Sequence, residues 1–184
     1  SAGAGSGERV VLPAGDERVD FEGELGVVVG RRAFGLAEPE ALSCVCGYVN
    51  ANDVSARGFQ KLDGQWVRAK SCDTFAPIGP ALVTADEIAD PGALDIQLRL
   101  NGAVMQHSST REFVFSVPAL LAFLSATMTL EPGDVILTGT PPGVGFARKP
   151  PVYLKAGDVV EVEIEGLGVL RNPVAGEGKA PAPA

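Results

Sequence analysis

Apolar and polar positions alternate with period two along residues 20–30. As a strand, this places Phe21, Leu25, Val27 and Val29 on one face and Glu22 and Glu24 on the other. Residues 94–100 alternate as cleanly, and Asn101-Gly102 predicts a tight hairpin turn into a second strand at 103–106. Further short strands are predicted at 10–12, ahead of Pro13, at 82–84 and at 159–164. The last turns at Glu165-Gly166 toward Val169 and Leu170. A Gly-Asp turn precedes a β-branched run twice, at Gly133-Asp134 and at Gly157-Asp158, which reads as two turn-plus-strand units. Two short helices complete the pattern. One covers 38–46, with Pro39 at its start and Gly47 at its end. The other covers 116–124, with Ser116 as N-cap and Pro118 in its first turn. Its apolar residues run nearly all round, which predicts deep burial. Many strands with few helices make the fold class β-rich, mixed α+β.

Composition narrows this picture without redirecting it. At 184 residues, with 46% apolar and 21% charged, the chain fits one globular domain. Residues 1–7 read as a Gly/Ala/Ser linker following a further N-terminal segment, 8–175 as the folded catalytic domain, and 176–184 as a flexible Pro/Ala tail. No apolar run approaches the roughly 20 residues of a membrane helix, and the first residues lack the pattern of a signal peptide. The expectation is a soluble, cytoplasmic protein. A formal charge of −8 with no basic cluster excludes a nucleic-acid surface. Cys44, Cys46 and Cys72 do not form a disulfide framework or, with the single His107, a zinc pattern. Cys44 and Cys46 are expected as buried thiols. Cys72, close to Lys70, is a candidate nucleophile without a histidine beside it in sequence.

Two carboxylates on one strand face repel each other and lose hydration, unless a cation or a shared proton relieves them. Glu22 and Glu24 are therefore either an ordinary solvated face or ligands of a hard divalent cation, which takes a few carboxylates and leaves places for water and substrate. The polar stretch 48–60 offers Asp53 as a third carboxylate, Arg57 as a planar fork for a substrate carboxylate and Gln60 as an amide. A solvated loop, with Arg57 in a structural salt bridge, is the other reading. Lys70 either has its pKa lowered beside a cation site, pairs with an anionic substrate oxygen, or is a surface charge. The glycine-rich loop 137–145 brings Gly139 and Thr140, whose backbone N–H groups and hydroxyl can hold a carboxylate. It lacks the lysine and helix of a phosphate-binding P-loop.

These blocks, taken in order, resemble the fumarylacetoacetate hydrolase family nearly end to end. The matching stretches are Asp20-Phe21-Glu22-Gly23-Glu24-Leu25, Asn52-Asp53-Val54-Ser55-Ala56-Arg57, the run from Lys70 to Pro80, the run from Pro132 to Pro141, and the run from Arg148 to Lys155. The resemblance implies a β-roll of folded sheets with a few short helices. It also implies a homodimer, and Mg²⁺ or Mn²⁺ held at Glu22, Glu24 and Asp53. Lys70 is implied as the catalytic residue, with substrate contacts from Arg57, Gln60, Gly139 and Thr140. The implied partner is a small 2-oxo acid or acylpyruvate whose C–C bond is cleaved, by hydrolysis or decarboxylation, through a metal-stabilised enolate. A 2-hydroxy-dienedioate isomerase and a non-catalytic binding module are the alternatives. Two features depart from the family. No residue here matches the His-Glu lid, for which His107 is a poor substitute, and Gly58 stands where the family commonly has Asp.

Overall fold

The structure, a computed structural model, describes residues 2–176, so Ser1 and residues 177–184 of the expected tail lie outside the described residues. In chain order its elements are β1 (Gly3–Ala4), β2 (Val10–Val11), β3 (Val19–Asp20), β4 (Gly23–Val29), β5 (Val45–Asn52), β6 (Ser55–Ala56), α1 (Arg57–Asp63), α2 (Val67–Lys70), β7 (Ala76–Thr84), β8 (Asp95–Leu100), β9 (Ala103–Ser109), α3 (Val117–Ser125), β10 (Val135–Leu137), β11 (Val159–Ile164) and β12 (Val169–Ala175).

Two five-stranded sheets carry the fold, in the orders β1-β7-β5-β4-β10 and β2-β12-β11-β8-β9, and a two-stranded ribbon pairs β3 with β6. Their apolar faces meet in two clusters. Leu25, Val27 and Tyr48 of the first sheet pack with Ile96 and Ile164 of the second around Leu121 of α3. Phe21 and Phe75 pack with Leu98, Val162 and Leu170 at the other end. Each such side chain contributes about 1.5–3 kcal/mol when fully buried. The period-two pattern of residues 20–30 thus does what it predicts: Leu25, Val27 and Val29 lie in the core, and the chain is β-rich.

The hairpin β8–β9 forms as expected, with Asn101 at φ 52° and Gly102 at φ 79°, the paired positive values that match the twist of the strands. Both Gly-Asp turns close alike. Asp134 accepts the N–H of Glu131 at 2.8 Å and Asp158 that of Lys155 at 2.8 Å, so the shared motif is a carboxylate staple ahead of β10 and β11.

Several elements differ from the sequence pattern. The helix expected over 38–46 is a 3-10 helix at Glu38–Cys44, cut short because residues from Val45 onward pair with β4. Cys44 is buried as expected, whereas Cys46 lies exposed on β5. Residues 48–52, read as part of a polar loop, are the inner strand β5, bonded to both β4 and β7. The helix α3 has its Ser116 cap, accepting from Ala119 at 3.2 Å. Only Val117, Leu121 and Ser125 are buried, and Phe123 is 76% exposed, because α3 packs on one side of the roll instead of threading it. Gly3 and Ala4, read as linker, add an edge strand parallel to β7. Among the described residues no helix is long and apolar enough to cross a membrane.

Candidate metal and substrate site

The site is built where β3, β4 and the end of β5 converge. The N–H of Asp53 donates to the Glu22 carbonyl at 2.9 Å, and the N–H of Glu22 donates to Asn52 Oδ1 at 3.0 Å. These two bonds hold the turn after β5 against the residue that enters β4, which brings Asp53 beside Glu22. Glu24, one repeat along β4, shares their side. Glu22, Glu24 and Asp53 each place a carboxylate oxygen within 4.8 Å of the others. The end of α2 delivers Lys70, whose Nζ lies 2.8 Å from Glu22 Oε2 and also bonds Asp53 Oδ2.

Electrostatics separate the three acids. Glu24 is pushed up to about 8, first by burial and then by the charges of Asp53 and Glu22, with the Gly139 N–H at 2.7 Å opposing the rise. Asp53 is raised by burial, which outweighs its bond to Lys70. Burial alone would lower the Lys70 pKa, but its hydrogen bonds to Asp53 and Glu22 raise it, so the lowered pKa considered from sequence is not what the fold produces. Of the two ends of the Lys70–Asp53 contact, Lys70 shifts as pairing dictates and Asp53 shifts against it, because burial weighs more on the carboxylate. The charged ammonium is the firmer of the two, because it faces two acceptors at once. Three converging hard-oxygen donors, one of them raised in pKa by burial beside the other two, fit a divalent cation of the Mg²⁺ kind.

The residues expected to touch substrate all have partners within the protein. Arg57 donates from Nε and Nη2 to Asp20 Oδ2 at 3.1 and 3.0 Å, from Nη1 to Gln60 Oε1 at 3.1 Å, and from Nη2 to Glu22 Oε1. Its guanidinium carbon lies 4.3 Å from the centroid of the Phe146 ring. The salt-bridge reading of Arg57 is thus the one the fold adopts, and Gln60 braces it. The Thr140 hydroxyl donates to the Gly23 carbonyl at 3.0 Å and accepts from Gln106 Nε2 at 2.8 Å, so it ties the glycine-rich loop to β4. Gly139 presents its N–H to Glu24. His107 is exposed on β9, opposite Gln97, and takes no part in the site. Burial raises the Cys72 thiol above its ordinary value, contrary to a nucleophile.

Sequence reasoning missed Asp20, Asp16 and Gln106. Asp20 continues the alternation of Glu22 and Glu24, and that spacing was the available signal. Gln106, 1% exposed, accepts from the Gly23 N–H at 2.9 Å and donates to Pro141 as well as to Thr140. Asp16 explains Gly58: it caps the first turn of α1 by accepting the Phe59 N–H at 2.9 Å, and a Cβ at Gly58 would collide with both its carboxylate oxygens. The space beside Arg57 that the family's aspartate would occupy is filled from another segment. Gly58→Asp is expected to destabilise the fold by about 2–4 kcal/mol through overpacking and like charge. Adding Asp16→Ala should recover part of that loss in thermal denaturation, and a double variant no more stable than Gly58→Asp would discard the explanation.

A cavity of about 700 Å³ is lined by residues including Leu12, Glu17, Tyr153 and Lys155, away from the carboxylates. Another, about 580 Å³, touches Thr138, Gly139 and Thr140 from the side of Ile96 and Phe113. Charge converges instead at Glu22, Glu24, Asp53 and Lys70.

Residues 1–175 match the family model described as fumarylacetoacetate (FAA) hydrolase, C-terminal. The oxaloacetate tautomerase fahd2, mitochondrial, of Xenopus laevis is 51% identical over 172 residues, covering 92% of this chain and 54% of that protein. The chain spans about half the length of the curated relatives it matches. Being mitochondrial by name, this relative lends no support to the cytoplasmic location expected here. Among solved structures, a 2-hydroxyhepta-2,4-diene-1,7-dioate isomerase from Mycobacterium marinum is 47% identical with a TM-score of 0.88, covering 97% of this chain and 67% of that one. A fumarylacetoacetate hydrolase from Exiguobacterium antarcticum is 43% identical with a TM-score of 0.93, covering 96% and 64%. With the match running the length of the folded domain, the chain belongs to the fumarylacetoacetate hydrolase family.

Proposed function

We propose that this chain moves a proton next to the carbonyl of a small 2-oxo acid, interconverting the keto and enol forms of an oxaloacetate-like dicarboxylate, with Mg²⁺ or Mn²⁺ at Glu22, Glu24 and Asp53. The observation that carries the reading is the Lys70 ammonium set against the carboxylate cluster, a cationic hydrogen-bond donor at the edge of a hard-oxygen donor set. A bound divalent cation would supply Lewis-acid polarisation of adjacent carboxylate and carbonyl oxygens.

Every other part of the reading falls to the chain. In the keto-to-enol direction the C3–H bond breaks, its proton passing to a solvent water while its electron pair forms the C2–C3 double bond, and the carbonyl oxygen takes on charge and then a proton that returns the balance. Lys70 Nζ is the donor suited to that oxygen, since its hydrogen bonds keep it protonated. Gln60 and Asp20 fix Arg57, and Arg57 fixes Glu22, so the carboxylate that shares Lys70 keeps its orientation. The C–C cleavage expected first from sequence asks for more, an attacking water or a departing CO₂. The relatives named for tautomerase and isomerase activity favour the simpler transfer, which the sequence reading approached only through its alternative of a 2-hydroxy-dienedioate isomerase. The reading retains a homodimer as its assembly and a 2-oxo acid as its small-molecule partner.

Enol-oxaloacetate absorbs in the ultraviolet, so its decay can be followed while pyruvate is assayed in the same sample. The expected result is protein- and Mg²⁺-dependent acceleration of the decay with no pyruvate. Pyruvate appearing at the rate of enol loss would make the chain a decarboxylase. No acceleration, in a protein that nevertheless binds metal and oxalate, would make it a binding module.

A further inference from the structure

Asp20 is fully buried, with 0% of its surface exposed, yet it is neither one of the three converging carboxylates nor next to Lys70. Its two oxygens accept five hydrogen bonds. Oδ1 takes the N–H of Phe21 at 2.9 Å and of Gly145 at 2.7 Å. Oδ2 takes the N–H of Phe146 at 3.0 Å together with Nε and Nη2 of Arg57 at 3.1 and 3.0 Å. Gly145 is adapted to this approach: a Cβ there would collide with Asp20 Oδ1 and with the Val152 carbonyl.

Each bond gathers a different stretch of chain. The 145–146 turn is pulled in, and its Phe146 ring covers the Arg57 guanidinium. Arg57, held edge-on by Asp20, shares its Nη2 between Asp20 Oδ2 and Glu22 Oε1. A buried carboxylate with one cationic partner and three backbone donors is a rigid anchor, because every lone-pair direction is spoken for and the charge is neutralised.

We infer that Asp20 is a positioning residue for the cation site, acting through Arg57 and the 145–146 turn to hold Glu22 in its ligating orientation. The inference rests on the metal reading above and goes beyond it: a fourth acid governs cation affinity without ligating. Neutralising it turns an acceptor toward the Phe146 N–H and Arg57 into an NH₂ group that meets donors with donors. Arg57 is then released, and Glu22 loses its fixed rotamer.

The test is Mn²⁺ affinity, measured by calorimetry on the metal-free full chain, for wild type, Asp20→Asn, Arg57→Gln and the double variant. The expected result is a loss of at least tenfold for each single variant and no further loss in the double, since both remove the same link. That non-additivity would not follow from general loosening of the fold. Additive losses, or Asp20→Asn binding Mn²⁺ within twofold of wild type, overturn the inference. Should Asp20→Asn not fold, Arg57→Gln decides alone: affinity within twofold overturns the link, and a tenfold loss that Arg57→Lys partly restores supports it. Wild type without Mn²⁺ binding would instead remove the metal reading, and this inference with it.

Discussion

Glu24→Gln is expected to abolish divalent-cation binding, at least a hundredfold in Mn²⁺ affinity, and at the same time to stabilise the metal-free protein at high pH. Both effects come from one carboxyl. Glu24 is buried against Asp53 and Glu22, its neutralising contact being a backbone N–H, and its pKa of about 8 stands above the ordinary 4.5. Below pH 4.5 folded and unfolded chains both carry the proton, and Glu24 costs nothing. Between 4.5 and 8 the unfolded chain releases the proton while the folded chain keeps it, so stability falls as pH rises, and above 8 the whole penalty is present. Its ceiling is on the order of 4–5 kcal/mol, from about 1.4 kcal/mol per pH unit. Gln keeps an oxygen for the Gly139 N–H but titrates nothing. In the presence of a chelator, its melting temperature should match wild type near pH 4 and exceed it at pH 9. With Mn²⁺ the order should invert, because wild type gains binding energy that the variant cannot. A variant that melts below wild type at pH 9 without metal would show that Glu24 is stabilised by something other than these contacts.

Lys70→Met is the second large effect, and it divides affinity from turnover. The ammonium occupies Glu22 Oε2 and Asp53 Oδ2, oxygens that a cation would also claim. Removing it takes one positive charge away from the place a second must enter, so Mn²⁺ affinity is expected to hold or to rise severalfold. Tautomerase turnover should nevertheless fall by at least a hundredfold, because the donor for the carbonyl oxygen is gone. The metal-free variant should also be less stable than wild type, since the carboxylates lose their counter-charge, and Mn²⁺ should restore much of that loss. Calorimetry and the ultraviolet enol assay on one preparation suffice. Loss of Mn²⁺ affinity together with activity would mean that Lys70 builds the site, and undisturbed turnover would remove it from the chemistry.

The parts of this architecture that repeat along the chain were the parts open to sequence reading. Period two exposed β4 and its glutamates, Asn101-Gly102 exposed the hairpin, and the family blocks brought Asp53 and Lys70 to the same place that the fold does. What stayed hidden depends on partners far away in sequence. Asn50 looks like a loop residue, yet it is buried in β5, with its amide donating to the carbonyls of Gly79, Leu167 and Gly168. Polar residues on an inner strand defeat an alternation rule built on apolar burial. The helix α2 is four residues long, too short for any helical period to show. The internal partners of Arg57 and Thr140 were equally hidden, the acids of Arg57 lying 35 and 37 positions away and Gly23 and Gln106 lying 117 and 34 positions from Thr140.

Gln106 stands on the edge strand of one sheet and grips the Gly23 peptide of the other, between Glu22 at the entry of β4 and Glu24 within it. The ligating corner of the first sheet is therefore propped from the facing layer. Glu22, Glu24 and Asp53 all belong to that one sheet and the turn after β5, so a cation bound there would act as a clasp between the entry of β4 and the end of β5, and its off-rate would report on how firmly that single corner is held.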